Sequence, residues 1–377
     1  MSQNIALLFA NYGPYHIARL ESLSDYISLK DLQAVGIELS RSEKKYPWQI
    51  TLENLTLPII SVVKNSSLEE TKLIRLIRQL LITLKQVDPT VLAISGYFNP
   101  SMLAALFWCK LRNKPAILFS ETTESDFKRA WWKEAIKSLI VRQFKAALVG
   151  GQPHKRYLIQ LGMPKEAIFI GYDVVGNATF HPQNIQNLAN PLNKPFFLTV
   201  NRFIQKKNLS FIINAYAKYR QEVGQKAWDL VLCGDGELRP QIEQQIANLK
   251  LQKFVHLPGF LQQTEMLPYF AHAGCFVHGS TTEQWGLVVN EAMAAGLPVL
   301  VSNRCGCFED LVIEGVNGFG FDPYNSDGLT NLMLKVSDDS FEREKMAQAA
   351  LNHIQNFSPE YFAQGLVKAV QYATTHS

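Results

Sequence analysis

Residues 275–301 read CFVHGSTTEQWGLVVNEAMAAGLPVLV. The apolar run Cys275–His278 is followed by a polar loop, a helical stretch that stops at Gly296, and a second apolar run, Pro298–Val301. Two short strands joined by a helix are a βαβ unit, because parallel neighbours need a crossover of about a dozen residues or more. The small residues Ala292, Ala294, Ala295 and Gly296 let that helix lie close on its sheet. The stretch therefore predicts an α/β fold with a parallel sheet.

The same rhythm runs outward in both directions. After the helix come the expected strand Phe319–Phe321, and before it Phe196–Val200, Asp229–Cys233 and Phe254–Leu257. In the first half the expected strands are Ile5–Ala10, Leu32–Leu39, Pro58–Val63, Val91–Tyr97, Ala116–Ser120 and Ala147–Val149. A helix over Leu68–Val87 carries Leu73, Leu76, Ile77, Leu80, Leu81 and Leu84 at helical spacing. Between the halves Asn, Gln, Pro and Gly accumulate and the rhythm stops. The expected organisation is an N-terminal Rossmann-like domain over 1–178, a linker at 179–195, a second Rossmann-like domain over 196–357, and a final segment, 358–377, crossing back to the first domain. Two doubly wound sheets facing across a cleft would bind ligands beyond the carboxyl ends of their strands.

Composition narrows the class. Hydrophobic residues are 47% and charged residues 19% of the 377, the balance of a globular chain. The first strand runs into Asn11, Tyr12 and Gly13 rather than a cleavage site, and no apolar run approaches the roughly 18 residues of a membrane helix. Cys109, Cys233, Cys275, Cys305 and Cys307 are an odd, scattered set that suits reduced thiols and a cytoplasmic setting. The pair Cys305 and Cys307 has no second His or Cys pair at ligand spacing, so no metal site is expected. A net charge of +4 gives no ground for nucleic acid as a partner.

Two loops carry candidate chemistry. After Val200 comes Asn201-Arg202-Phe203-Ile204-Gln205-Lys206-Lys207-Asn208, which puts Arg202 and Lys207 at a helix N-terminus, where anions are favoured. After His278 comes the loop to Gly286; a helix starting there aims the N–H groups of Gly286 and Leu287 beyond the strand ends. Glu283 in the loop and Glu291 in the helix can both accept from vicinal hydroxyls, as on a sugar or a ribose. The same carboxylate at a helix start can also serve only as a cap.

The segment Glu283–Pro298, EQWGLVVNEAMAAGLP, resembles the signature of the retaining GT-B glycosyltransferases of family 4, two glutamates separated by seven residues. NRFIQKKNL from Asn201 is similar to that family's donor-phosphate loop, CGDGEL from Cys233 to its GDGPL turn, and LPGFL from Leu257 to its base-contacting loop. CGCFEDLVIEGVNGFGFDP from Cys305 resembles its closing loop and strand. The resemblance implies a nucleoside diphosphate sugar as donor and transfer without a metal or other cofactor. It implies that Arg202 and Lys207 hold the diphosphate, Glu291 the ribose and Glu283 the transferred sugar, with Gly234, Phe260, Gly286 and Leu287 along the donor. Gly13 would let the first loop approach the phosphates. No Asp-x-Asp triplet is present for a metal. A nicotinamide oxidoreductase fits less well, since the turn at Gly234 and Gly236 lacks the third glycine of its fingerprint. A glycoside phosphorylase, or a non-catalytic nucleotide-sugar binder, on the same fold would carry a similar phosphate loop.

The acceptor side is weaker. Where many members of that family have a histidine, this chain reads Phe119-Ser120-Glu121-Thr122-Thr123. Glu121 either binds acceptor hydroxyls or an amine, or caps the helix that follows. His16 either touches substrate or bonds locally at a helix start. Over 127–145, Trp132, Ile136, Ile140 and Phe144 share a face beside Arg129, Lys133 and Lys137. Such a helix packs on its own sheet, or lies on the anionic inner face of a membrane and suits a lipid-linked acceptor.

Overall fold

The structure is a computed structural model that describes residues 3–28, 30, 32–41, 55–64, 66–126 and 130–376. The chain divides into two compact units, one of Met1–Gly176 with Phe357–Ser377, the other of Asn177–Asn356.

The first unit is built on seven parallel strands, β1 Gln3–Phe9, β2 Leu32–Ser40, β3 Ile59–Val63, β4 Val91–Ser95, β5 Ala116–Ser120, β6 Ala146–Val149 and β7 Ile168–Ile170. Their order is β3-β2-β1-β4-β5-β6-β7, so the winding reverses between β1 and β4. The crossover helices are α1 Pro14–Ile27, α2 Leu73–Val87, α3 Pro100–Leu111, α4 Trp131–Val141 and α5 Gln152–Gln160. One core joins Leu80 of α2, Met102 of α3, Val141 of α4 and Leu158 of α5 to the sheet. A separate core holds Leu23 of α1 and the C-terminal helix Pro359–Thr375, whose Phe362, Leu366 and Val370 are buried. Helices thus cover both faces, as a sheet of continuous apolar strands requires.

The second unit has six parallel strands, β8 Phe196–Val200, β9 Asp229–Cys233, β10 Val255–Gly259, β11 Cys275–His278, β12 Val299–Ser302 and β13 Gly318–Phe321, in the order β10-β9-β8-β11-β12-β13. Its helices are α6 Asn177–Phe180, α7 Pro182–Ile185, α8 Leu209–Val223, α9 Arg239–Asn248, α10 Gln263–His272, α11 Leu287–Ala294, α12 Phe308–Leu311, α13 Ser326–Ser337 and α14 Arg343–Ile354. Here the winding reverses between β8 and β11, which pair through Cys275 with Phe197 and Phe276 with Leu198. The loops that follow those two strands therefore diverge from a topological switch point, where open sheets bind ligands.

Three expectations need correcting. β7 was absent from the expected strands; at three residues it is too short to show a period. The segment read as a linker, 179–195, belongs to the second unit: it includes the second half of α6 and all of α7, and buries Phe180 and Ile185, with Phe180 edge-on to Phe270. Helix α2 starts at Leu73 rather than Leu68, because Ser67–Thr71 form turns in which Glu70 N–H donates to Ser67 O and Thr71 N–H to Leu68 O.

Replacing Phe362, which stacks obliquely on Phe119 and Tyr172, with alanine leaves a cavity under the C-terminal helix. The expected loss for a buried aromatic is about 3–5 kcal/mol, read as a lower urea midpoint for the first unit. An unchanged midpoint would mean that this helix does not hold the sheet.

Candidate functional site

In the second unit β8 ends at Val200, and the chain turns through a short 3₁₀ segment, Gln205–Lys207, before α8. Asn208 takes the left-handed conformation, φ 57°, and its side-chain amide donates to Pro323 O at 2.9 Å. This tight turn points two lysines back towards the loop after β11. Lys206 Nζ lies 3.1 Å from Glu283 Oε1, and Lys207 Nζ pairs with Glu283 Oε2. Ser280 Oγ donates to Glu283 Oε2 at 3.1 Å, and His278 Nε2 lies 3.7 Å from the same oxygen. The loops are also joined through backbone, since Thr281 N–H donates to Lys206 O at 2.9 Å and Gly306 N–H to Glu283 O at 2.9 Å.

Burial alone would raise the Glu283 carboxyl, but His278, Lys207 and Lys206 outweigh it and hold the group well below the usual carboxylate range. Burial pushes the His278 imidazole down, against the pull of Glu283. The cluster is therefore a neutral imidazole, one carboxylate and two ammonium groups, with net positive charge. Beside it α11 begins at Leu287, capped by the backbone of Gly286 at φ 107°. Trp285 fixes this start: it is buried, and its indole N–H donates to Asn290 Oδ1 at 2.8 Å. Glu291 is buried within the same helix.

The structure thus brings Lys207, Glu283, Gly286 and Leu287 together around the switch point. Arg202 is exposed in the same loop, and Phe260 is exposed after β10. Gly234, at φ 132°, has a structural task of its own. A Cβ there would sit 1.8 Å from Asn201 O, so only glycine lets the turn after β9 support the lysine loop. Lys206, His278 and Ser280 were missed. His278 closes its strand and Lys206 adjoins Lys207, but neither spacing nor periodicity says which side chains turn inward.

The first unit gathers a second group at its own switch point. Gly13 precedes α1, and its N–H donates to His16 Nδ1 at 3.0 Å, so His16 does bond locally at the helix start. Burial, and then the Arg19 charge, push the His16 imidazole down to about 3. The loop is anchored by Glu38, fully buried, which accepts from Tyr12 N–H at 3.1 Å, Ser61 Oγ at 2.6 Å and Arg41 Nη1 at 3.1 Å. Arg19 is buried too, donating to Val174 O at 3.2 Å and lying 4.7 Å from the Tyr172 ring centroid. Burial raises the Asp173 carboxyl well above its ordinary value, and the negative charge of Glu121 and a hydrogen bond with it raise it further. Glu121 and Asp173 thus stand as a neighbouring carboxyl pair in which the protonated form of Asp173 is favoured. The turn after Glu121 is closed by Asp126, which accepts from Thr123 N–H at 2.8 Å. Among the described residues no group of three or more His, Cys, Asp and Glu is placed to hold a metal ion, and all five cysteines are free and buried.

Residues 180–353, most of the second unit, match the family model described as Glycosyl transferases group 1. The alpha-monoglucosyldiacylglycerol synthase of Acholeplasma laidlawii is 29% identical over 124 residues, covering 33% of this chain and 30% of that protein. The amylovoran biosynthesis glycosyltransferase AmsK of Erwinia amylovora is 27% identical over 212 residues, covering 55% and 51%. The chain therefore spans about half the length of these curated relatives, or less. Among solved structures, Anabaena HepE in complex with UDP and glucose is similar over 98% of this chain and 99% of that one, with a TM-score of 0.76 at 20% identity. That likeness is one of fold, and the fold is GT-B.

Replacing Lys207 with methionine removes the cation bonded to Glu283 Oε2 while keeping an unbranched stem. The Glu283 carboxyl is expected to titrate at higher pH than in the wild type, followed by carboxyl carbon NMR of labelled protein. An unmoved titration would show that the pair does not form in solution.

Proposed function

We propose that this protein is a retaining, metal-independent hexosyltransferase of glycosyltransferase family 4 that moves a sugar from a nucleoside diphosphate donor to an acceptor hydroxyl. The observation that carries the reading is the net-positive cluster of Lys206, Lys207 and Glu283 at the switch point, beside the start of α11. A diphosphate there meets cations and helix N–H groups together. Breaking the glycosidic bond builds negative charge on the departing phosphate, and groups already aimed at it lower that barrier without a metal ion. HepE is in complex with UDP and glucose, which supports trying a uridine donor first.

On this reading Arg202 and Lys207 hold the diphosphate, and Lys206 joins them. Glu291 accepts from the ribose hydroxyls, and Glu283 from hydroxyls of the transferred sugar, with Gly234, Phe260, Gly286 and Leu287 along the donor. Glu283 is well suited, because a carboxylate that stays ionised is a stronger acceptor than a neutral one. Retention follows if acceptor and leaving group share one face of the sugar, the departing phosphate taking the acceptor proton. No protein nucleophile is then needed. In the first unit Glu121, with its partner Asp173, and His16 are the groups we assign to the acceptor, and Gly13 to approach of the first loop to the phosphates.

The two glutamates give the test. Glu291→Gln is expected to weaken binding of the bare nucleoside diphosphate, since a ribose contact exists before and during reaction alike. Glu283→Gln should not weaken that affinity, since it frees the two lysines from their carboxylate partner, and should lower kcat by about 10²-fold. Arg202→Ala or Lys207→Ala should weaken nucleoside diphosphate binding by about 1–3 kcal/mol, and transfer should survive EDTA. Calorimetry and turnover on the four variants decide it. Full affinity in both cation variants, or activity restored only by manganese or magnesium, would overturn the reading.

A further inference from the structure

The helices α2, α3 and α4 send Leu76, Leu80, Met102, Leu106 and Val141 into one core on the same face of the first sheet. Their outer sides therefore all point away from that face, and they are not polar. Ile74 is 84% exposed, Leu111 70%, Trp131 83% and Leu139 67%, with Phe107, Trp132, Ile136 and Ile82 also exposed. Scattered exposed apolar residues are ordinary, but a row across three successive crossover helices marks an interaction surface. In α4 only Val141 is buried, with Ile140 packed against the core beside it, so the helix rests on the sheet by its C-terminal end and leaves Trp131, Trp132, Ile136 and Leu139 exposed. Arg129 and the rest of 127–129 lie outside the described residues.

Charge identifies the partner. α2 carries Arg75, Arg78 and Lys85, α3 carries Lys110, and neither holds an acidic residue. α4 carries Lys133 and Lys137; its one acid, Glu134, accepts from Lys137 Nζ at 2.9 Å and from Tyr157 Oη at 2.8 Å, and so is already committed. Lys72, Arg112 and Arg142 flank the helix ends; Glu69 and Glu70 precede α2, and Asp88 at its C-terminal end is paired with Lys114. A groove between α2 and α3 is lined by Ile74, Ile77, Ile82, Trp108, Lys85 and Arg112. Protein interfaces exclude lysine from their apolar centres. Here each of the three helices carries basic side chains beside exposed apolar ones, which suits a medium whose anionic headgroups overlie its acyl chains. Tryptophan settles at that boundary, and Lys and Arg reach back to the headgroups.

We propose that the outer face of α2, α3 and α4 is a docking surface for an anionic lipid bilayer. No described helix is long and apolar enough to cross a membrane, so contact is in the plane of the surface. It is independent of the transfer chemistry and can be read without any nucleotide.

The test is sedimentation of the full chain with vesicles of phosphatidylglycerol and phosphatidylcholine, against phosphatidylcholine alone. Binding is expected to the anionic vesicles only, and to weaken between about 0.1 M and 0.5 M salt as screening shortens. Arg75→Glu with Arg78→Glu, and separately Trp131→Ser with Trp132→Ser, should each weaken it by about tenfold or more, with unchanged thermal unfolding. Lys253→Glu, on the second unit, should not. Equal binding to neutral vesicles, or no effect of either pair, would overturn the proposal. So would a dimer that the tryptophan substitutions dissolve in a chain that ignores vesicles, which would assign the face to a second copy.

Discussion

A single residue, through its carboxylate and its backbone carbonyl, ties together three loops of the second unit that no strand ladder joins. Glu283 receives Lys206 and Lys207 from the loop after β8 and Ser280 from its own loop, while its carbonyl accepts Gly306 N–H from the loop after β12. Its residue also pairs as an isolated parallel bridge with Cys305. Desolvating a carboxylate costs several kcal/mol unless it is paired and bonded, so the three loops must keep these positions together. The placement of the α11 start follows, because Trp285 and Gly286 come directly after Glu283 in the chain.

The first unit solves a similar problem by stacking. Phe9, Phe119 and Tyr172 lie ring to ring, with centroids 5.5 and 5.0 Å apart, and Phe362 of the C-terminal helix leans on them. Arg19 is buried against Tyr172, donating to Val174 O, with its Nη2 3.9 Å from Asp173 Oδ1. A cation so placed favours negative charge nearby, while burial opposes it on Asp173. Burial and the neighbouring charge of Glu121 prevail over Arg19 and hold the Asp173 carboxyl well above its ordinary value.

Much of this fold was legible because parallel strands buried on both faces read as unbroken apolar runs. Phe196–Val200, Asp229–Cys233 and Cys275–His278 coincide with their expected spans, and α11 begins next to Gly286 as its loop implied. What stayed hidden depended on contacts between distant segments. Lys206 and Lys207 are consecutive, and nothing local says that both turn to a glutamate 76 and 77 residues away. Glu38 reads as a polar interruption in a strand, yet it anchors the loop before His16. The segment with α6 and α7 looked like a linker because its composition is polar, while the buried Phe180 and Ile185 and a hydrogen bond from His272 Nε2 to Leu188 O dock it. The spacing of α4 fits a core helix and a surface helix equally, and only its packing separates them.

The charge arrangement at Glu283 bears on selectivity under the proposed reaction. A diphosphate entering the cluster draws Lys206 and Lys207 towards itself and takes bonds away from a carboxylate that is largely buried. Leaving that carboxylate poorly satisfied is costly, and hydroxyls of a sugar are the groups able to replace what the lysines gave. A complete donor supplies both halves of this exchange, whereas a nucleotide without a sugar supplies one. The ion pair therefore acts as a test of ligand completeness: part of the attraction for phosphate offsets the disrupted pair, and the sugar restores it.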